Sequence, residues 1–182
     1  MSERKGPWVV VGSLVFFALA PGSVAGLIPF WLTGWRPQAP FLGAPVLGVL
    51  GAAMVLVGVG SLVESFARFA IKGLGTPAPI APPVRLVVSG QYRHVRNPMY
   101  AAILIIVVGQ SLILGSVVLL QYAAALFLIF HAFVVLYEEP KLSAQFGSSY
   151  SDYRGNVRRW WPRARPWMPR TLPGSGERGH ST

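Results

Sequence analysis

Three groups of polar residues interrupt an otherwise apolar chain. Arg96-Asn97-Pro98-Met99-Tyr100 sets a guanidinium, an amide and a phenol close together, with Tyr92 just upstream. Glu138 and Glu139 are adjacent, and His131 precedes them on the same apolar run. Carboxylates accept hydrogen bonds from hydroxyl and ammonium groups, and an aromatic face attracts a cation through its quadrupole. An imidazole can take a proton near neutral pH. Together these types suit a polar, partly cationic ligand and a reaction that depends on positioning. The chain has no cysteine, which excludes a disulfide, a thiolate metal site and a cysteine nucleophile. No metal site is read from the remaining residues.

The groups must be brought together by what lies between them. Ala101 to Val135 is almost uninterrupted apolar sequence, broken by Gly115-Ser116. Folding it once there makes a tight antiparallel hairpin and places Pro98–Tyr100 beside Tyr137–Glu139. Negative charge at a helix C-terminus opposes the helix dipole, and charge at a membrane border tends to mark a site. Both considerations favour a used pair of glutamates over a merely solvated helix end. On a regular helix His131, Val134, Val135 and Glu138 share a stripe, with His131 about 10 Å deeper than Glu138 at 1.5 Å per residue. His131 reads either as part of the site or as a partner in an interhelical hydrogen bond to Gln110 or Gln121.

Composition sets the environment. Of 182 residues 53% are hydrophobic and only 12% charged, about half the charge of a soluble domain. Four stretches have the length and apolarity of bilayer spans, about 8–32, 43–66, 99–114 and 117–137. The third is short. The start resembles a signal peptide, with Arg4 and Lys5 before an apolar run and Ala18-Leu19-Ala20, but the run continues to Trp31 and reads as span 1. With Pro21, Gly22 and Pro29 in it, that span is expected to be bent or broken near Pro21. Gly34 to Pro45 is an outer turn with Trp31 and Trp35 at interface depth. Gly48, Gly51, Gly58 and Gly60 give span 2 a face for close helix packing, and Glu64 and Arg68 at its end form a local i,i+4 pair.

The net charge is +10. All basic residues except Arg36 fall before span 1, after span 2 or after span 4, which makes both termini and the middle loop cytoplasmic by the positive-inside rule. Topology and anionic lipid account for the basicity, so nucleic acid is not read as a partner. The expectation is an all-α integral membrane protein with four transmembrane helices, in the plasma membrane of a prokaryote. Three parts follow: 1–72 as the first two helices, 73–162 as the catalytic region, and 163–182 as a basic, disordered tail. Arg158 to Trp167 mixes Arg and Trp in the manner of a membrane-surface anchor.

The ordered set Leu86-Val87-Val88-Ser89-Gly90-Gln91-Tyr92, Arg96-Asn97-Pro98-Met99-Tyr100, Glu138-Glu139 and Phe146-Gly147-x-x-Tyr150-x-x-Tyr153 resembles the isoprenylcysteine carboxyl methyltransferase family. The Asn97-Pro98-Met99-Tyr100 and Leu136-Tyr137-Glu138-Glu139-Pro140 pieces are also similar to phosphatidylethanolamine N-methyltransferase. The resemblance covers residues 72–162. It implies an integral membrane methyltransferase using S-adenosyl-L-methionine, held in a cytoplasmic pocket between the loop and the end of the last span. Leu86, Val87, Tyr92, Arg96, Asn97, Pro98, Met99, Tyr100, Glu138 and Glu139 would contact the cofactor. His131, Tyr100 and Arg96 would serve catalysis, and a lipid-like or prenylated acceptor would enter from the bilayer. The resemblance implies no particular oligomeric state. Two positions depart from the carboxyl methyltransferases: Asn97 stands where they have His, and Val134 where they have an Arg that would hold a substrate carboxylate. The competing expectation is a non-enzymatic small membrane protein, a transporter subunit or lipid-binding scaffold; a transporter would carry its charge nearer mid-membrane.

Overall fold

A computed structural model describes residues 19–72 and 86–168, and it is helical throughout, without a strand among those residues. Residues 1–18, 73–85 and 169–182 lie outside the described residues. They include Arg4, Lys5, the Gly73–Pro83 loop, Arg85 and the end of the expected tail.

Helix α1 (Leu19–Thr33) contains a π-helical stretch at Ser23–Leu27, which begins two residues after Pro21. Pro29 opens the regular part that follows, and Gly34 closes it in the left-handed conformation. Trp31 and Trp35 stand 83% and 55% exposed at this end. After the short 3₁₀ turn Phe41–Gly43, helix α2 runs Val46–Lys72. Helix α3 (Pro98–Leu114) starts with proline at its first turn and ends on Gly115 at φ 64, a backbone angle that favours glycine. Helix α4 (Val117–Phe133) follows at once, which closes the hairpin at Gly115-Ser116. It passes through a π-helical segment, Val134–Glu138, into α5 (Glu139–Asn156), which breaks at Gly147 with φ 52.

Val46–Arg68 and Val117–Asn156 are long and apolar enough to cross a membrane, while Leu19–Thr33 and Pro98–Leu114 are shorter apolar helices. The 17 residues of α3 reach about 26 Å at 1.5 Å per residue, somewhat less than a hydrocarbon core of about 30 Å. Val49, Leu56, Val57, Leu128, Ile129 and Leu136 all stand more than half exposed, an outer surface suited to lipid.

The most extensive helix contact is α2 against α3, and glycines set it. A Cβ on Gly51 would lie 2.5 Å from the Gly109 carbonyl oxygen, and one on Gly109 would lie 2.7 Å from that of Gly51. Gly58 faces Ile106 as closely, whereas Gly48 and Gly60 have nothing within 4 Å. Two of the four glycines expected to make a packing face do so. The core behind them is Leu62, Ala102, Ile103, Ile106, Val107, Ala123 and Leu126.

Residues 157–168 correct the expected anchor. Arg96 N–H donates to the Arg158 carbonyl (2.9 Å), Arg163 N–H to that of His94 (3.0 Å) and Trp167 N–H to that of Arg93 (3.0 Å). The segment is a strap bonded along the 93–96 backbone, so the order of the chain does not stop at residue 162. Unpaired backbone groups in the 93–96 turn are satisfied this way. Arg158, Trp161 and Arg165 remain exposed, as a surface anchor requires.

Candidate active site

The hairpin decides which residues meet. Helices α3 and α4 have equal lengths of 17 residues, so Asn97, just before α3, is level with Val134, just after α4. Beyond that level the π turn places Val134, Glu138 and Glu139 against Arg96 and Asn97. These five residues, with Leu142, Tyr150 and Tyr153, line a small cavity.

Glu139 is the electrostatic centre. Its carboxylate is 5% exposed and accepts from two guanidiniums. Arg159 reaches it through Nε (2.6 Å) and Nη2 (3.0 Å), and Arg96 Nη1 stands 3.0 Å from Oε1. Two-pronged arginine pairing of this kind is the strong form of the carboxylate bond. The same bond raises the Arg159 pKa above its ordinary value. Arg96 Nη1 also donates to the Tyr150 hydroxyl at 3.2 Å, so Arg96 is fixed between α5 and the strap. Asn97 Nδ2 donates to the Arg159 carbonyl at 3.3 Å.

Glu138 is held differently. The Tyr100 hydroxyl donates to its Oε2 at 3.2 Å, and among the described residues no ion pair reaches it. The Tyr100 ring packs on Phe130, with centroids 4.7 Å apart. Tyr92 is buried and its carbonyl accepts from the Tyr153 hydroxyl at 2.7 Å. Burial above all, then the neighbouring Tyr153, Glu138, Tyr100 and Glu64 charges, pushes the Tyr92 phenol pKa well above its ordinary value, so it stays protonated.

Of the residues expected from sequence, Arg96, Asn97, Glu138 and Glu139 line the cavity, and Tyr100 joins it through Glu138. Leu86 packs instead against the Tyr150–Tyr153–Val157 cluster, and Val87 is buried next to it in sequence. Pro98 is buried as the first residue of α3, and Met99 packs on the apolar core. His131 does not line the cavity. Its Nδ1 accepts from the Trp160 indole at 3.1 Å, and its ring lies near Phe127. The stripe from His131 to Glu138 is broken because the π segment adds residues to the turn between them. Neither glutamine is its partner: Gln110 donates to the Ala25 carbonyl at 2.6 Å.

Arg159 is the lining-network residue that sequence reasoning missed, having been read as a surface anchor. Tyr150 and Tyr153 carried a signal in their i,i+3 spacing, which puts both on one face. Their direction depends on Gly147, whose positive φ turns α5 back toward the cavity.

S-adenosyl-L-methionine can be tested against this lining. Arg96 Nε is buried and without a partner among the described residues, which suits a ligand carboxylate, and Glu138 retains acceptor capacity for hydroxyl and ammonium groups. The donor set fits. The cavity is far smaller than the usual 300–1,000 Å³ of small-molecule sites, so the fit concerns the donor and acceptor groups and not the space.

Comparison with known proteins gives one positive finding. The model of the phospholipid methyltransferase family matches residues 46–149, from the start of α2 to the middle of α5. No curated protein and no solved structure matches the chain. The matched stretch covers more than half of the sequence and contains the glycine-packed helix pair, the hairpin and both glutamates: this chain belongs to the phospholipid methyltransferase family.

Proposed function

We propose that this protein transfers a methyl group from S-adenosyl-L-methionine to a lipophilic acceptor that reaches the cavity from the bilayer, at its cytoplasmic face. The observation that carries the reading is Glu138: a half-buried carboxylate, bonded by Tyr100 alone among the described residues, in a cavity shared with Arg96 and Asn97 within the matched family region. The cofactor supplies an electrophilic methyl group on a sulfonium.

The chain's own part is positioning and exclusion of water. Glu138 accepts from ribose hydroxyls or the ammonium group, Tyr100 orients that carboxylate, and Arg96 offers Nε to the carboxylate end. Glu139 does not contact the ligand in this reading, because both its oxygens are already taken by Arg96 and Arg159. It holds Arg96 in place. Leu86, Val87, Pro98 and Met99 support the loop and helix start. His131 stays outside the proposal, since Trp160 occupies its Nδ1.

The acceptor is of phospholipid type rather than a prenylcysteine carboxylate. Val134 lines the cavity and is 1% exposed, so it offers no cation to a substrate carboxylate. Asn97 is likewise the residue of the phospholipid-type pattern.

Calorimetric titration of the purified protein with S-adenosylhomocysteine tests the reading. Binding to the folded state raises the thermal midpoint. Glu138→Gln is expected to weaken binding at least tenfold while shifting the ligand-free midpoint by no more than the loss of one hydrogen bond, about 1 kcal/mol. No binding by the parent, or equal binding by Glu138→Gln, overturns it.

A further inference from the structure

The end of α5 and the strap carry basic side chains of two kinds. From Tyr153 to Met168 the sequence holds Arg154, Arg158, Arg159, Arg163 and Arg165 and no acidic residue. Arg159 is turned inward to Glu139, and Arg163 Nη1 donates to the Asn156 carbonyl at 2.7 Å. Arg158 and Arg165 are exposed, and among the described residues no side-chain hydrogen bond or ion pair engages them. Trp161 lies between them in sequence and is 74% exposed. A surface that meets only water mixes the two signs of charge. Arginines of one sign around an exposed indole are the composition of a membrane–water interface. Trp160 places the strap there. Its indole donates to His131 Nδ1 at 3.1 Å, and its ring lies 5.3 Å from that of Phe127. Both partners belong to a stretch apolar enough to cross a membrane, and His131 is about 10 Å deeper than Glu138 at 1.5 Å per residue. Leu128 and Ile129, next to Phe127, stand more than half exposed. Trp160 therefore docks beside a surface suited to lipid, with Trp161 following it in the chain.

We propose that Arg158, Trp161 and Arg165 form a contact for anionic lipid, and that this contact strengthens binding in the cavity. The inference rests on the methyltransferase reading above and adds its regulation. Arg158 and Arg159 are consecutive, with α-carbons about 3.8 Å apart, so a membrane that holds one restrains the other. Arg159 makes the two-pronged bond to Glu139, and Glu139 pairs with Arg96. The Arg158 carbonyl accepts the Arg96 N–H. A strap seated on the membrane thus holds Arg96 by its side chain and by its backbone. Anionic lipid favours the seated strap, and a ligand that uses Arg96 favours the same state, so each strengthens the other. A phosphodiester with net negative charge complements the two guanidiniums, whereas a zwitterionic head group cancels most of that charge within itself. The attraction is about fivefold for each arginine near the surface.

The test uses the full chain in nanodiscs of phosphatidylcholine, with and without phosphatidylglycerol. S-adenosylhomocysteine affinity is measured by calorimetric titration in each. The parent is expected to bind at least threefold more tightly in the discs that contain phosphatidylglycerol, and no more than about 25-fold, the limit for two arginines. The double variant Arg158→Gln, Arg165→Gln is expected to bind within twofold of the parent in phosphatidylcholine and to lose the gain from phosphatidylglycerol. Arg158→Lys with Arg165→Lys keeps both charges and is expected to retain most of the gain. Trp161→Ala is expected to reduce it by a smaller factor than the glutamine pair. Equal affinities of the parent in the two discs, or an undiminished gain in the glutamine variant, overturn the proposal. Loss of the gain in the lysine variant overturns the charge argument, and a full gain in Trp161→Ala removes the indole from the contact. An equal gain from glycerophosphoglycerol added to phosphatidylcholine discs overturns the membrane part. Absence of S-adenosylhomocysteine binding in every disc instead strikes the methyltransferase reading, and this inference with it.

Discussion

The α2–α3 contact and the cluster around Glu139 are both densely packed, by opposite means. In the helix pair, absence of side chains lets two backbones touch: Gly51 and Gly109 lie against each other's carbonyl oxygens, and Gly58 receives Ile106. No charge is involved, and dispersion with small residues does the work, as in lipid it must. Around Glu139 long side chains converge from three segments that are far apart in sequence. Arg96 comes from the turn before α3, Glu139 from the start of α5 and Arg159 from the strap. The first contact is a fit between surfaces and tolerates any chemistry small enough. The second is a balance of charges, in which each member is costly alone.

That difference sets the size of the response to mutation. Glu139→Ala leaves Arg96, with a side chain 9% exposed, and Arg159 without their shared anion. Breaking a buried pair by removing one partner costs about 3–5 kcal/mol. The expected result is a large fall in thermal midpoint together with loss of S-adenosylhomocysteine binding, because Arg96 is no longer held. A loss below about 1 kcal/mol, the range of an exposed pair, would show that the cluster is solvated and that the comparison is wrong.

Gly109→Val probes the other region. The new Cβ would stand 2.7 Å from the Gly51 oxygen and 2.9 Å from Val55 Cγ2, and backbone cannot step aside as a side-chain tip can. Overpacking costs about 1–3 kcal/mol, so a reduced midpoint is expected with ligand affinity changed less than in Glu139→Ala. The strongest sharpening is the ratio of the two effects. If Gly109→Val removed binding as fully as Glu139→Ala, the helix pair would be part of the site rather than its frame.

The two regions were also unequally legible in the sequence. Glycine spacing and a long apolar run with one break announce close helices and a hairpin, because both are local patterns of small and apolar residues. Glu138, Arg96 and Asn97 could be placed together from that hairpin alone. The bond from Arg159 to Glu139 could not, since it depends on the strap returning along 93–96 through backbone hydrogen bonds, which carry no side-chain signature. The position of His131 outside the cavity lining was hidden for a related reason. A π segment inserts its extra residue without any marker in composition, and one residue is enough to turn a helical stripe away from a cavity.

The smallest effect is the most discriminating for the helix pair. Gly58 and Gly60 are two positions apart on α2 and identical in type, so sequence alone treats them alike. A Cβ at Gly58 would lie 2.6 Å from Ile106 Cγ1 and 3.1 Å from the Ala102 oxygen, whereas one at Gly60 would meet nothing within 4 Å. Replacing glycine by alanine inside a helix stabilises by roughly 0.5–1 kcal/mol when space allows. Gly60→Ala is therefore expected to raise the midpoint slightly, and Gly58→Ala to lower it because the Ile106 side chain must shift and the Ala102 carbonyl cannot. Opposite signs from one substitution at two positions within a turn of the same helix would establish that the α2–α3 contact is set by space at particular residues. Equal signs would return the glycines of α2 to a general, unspecific flexibility.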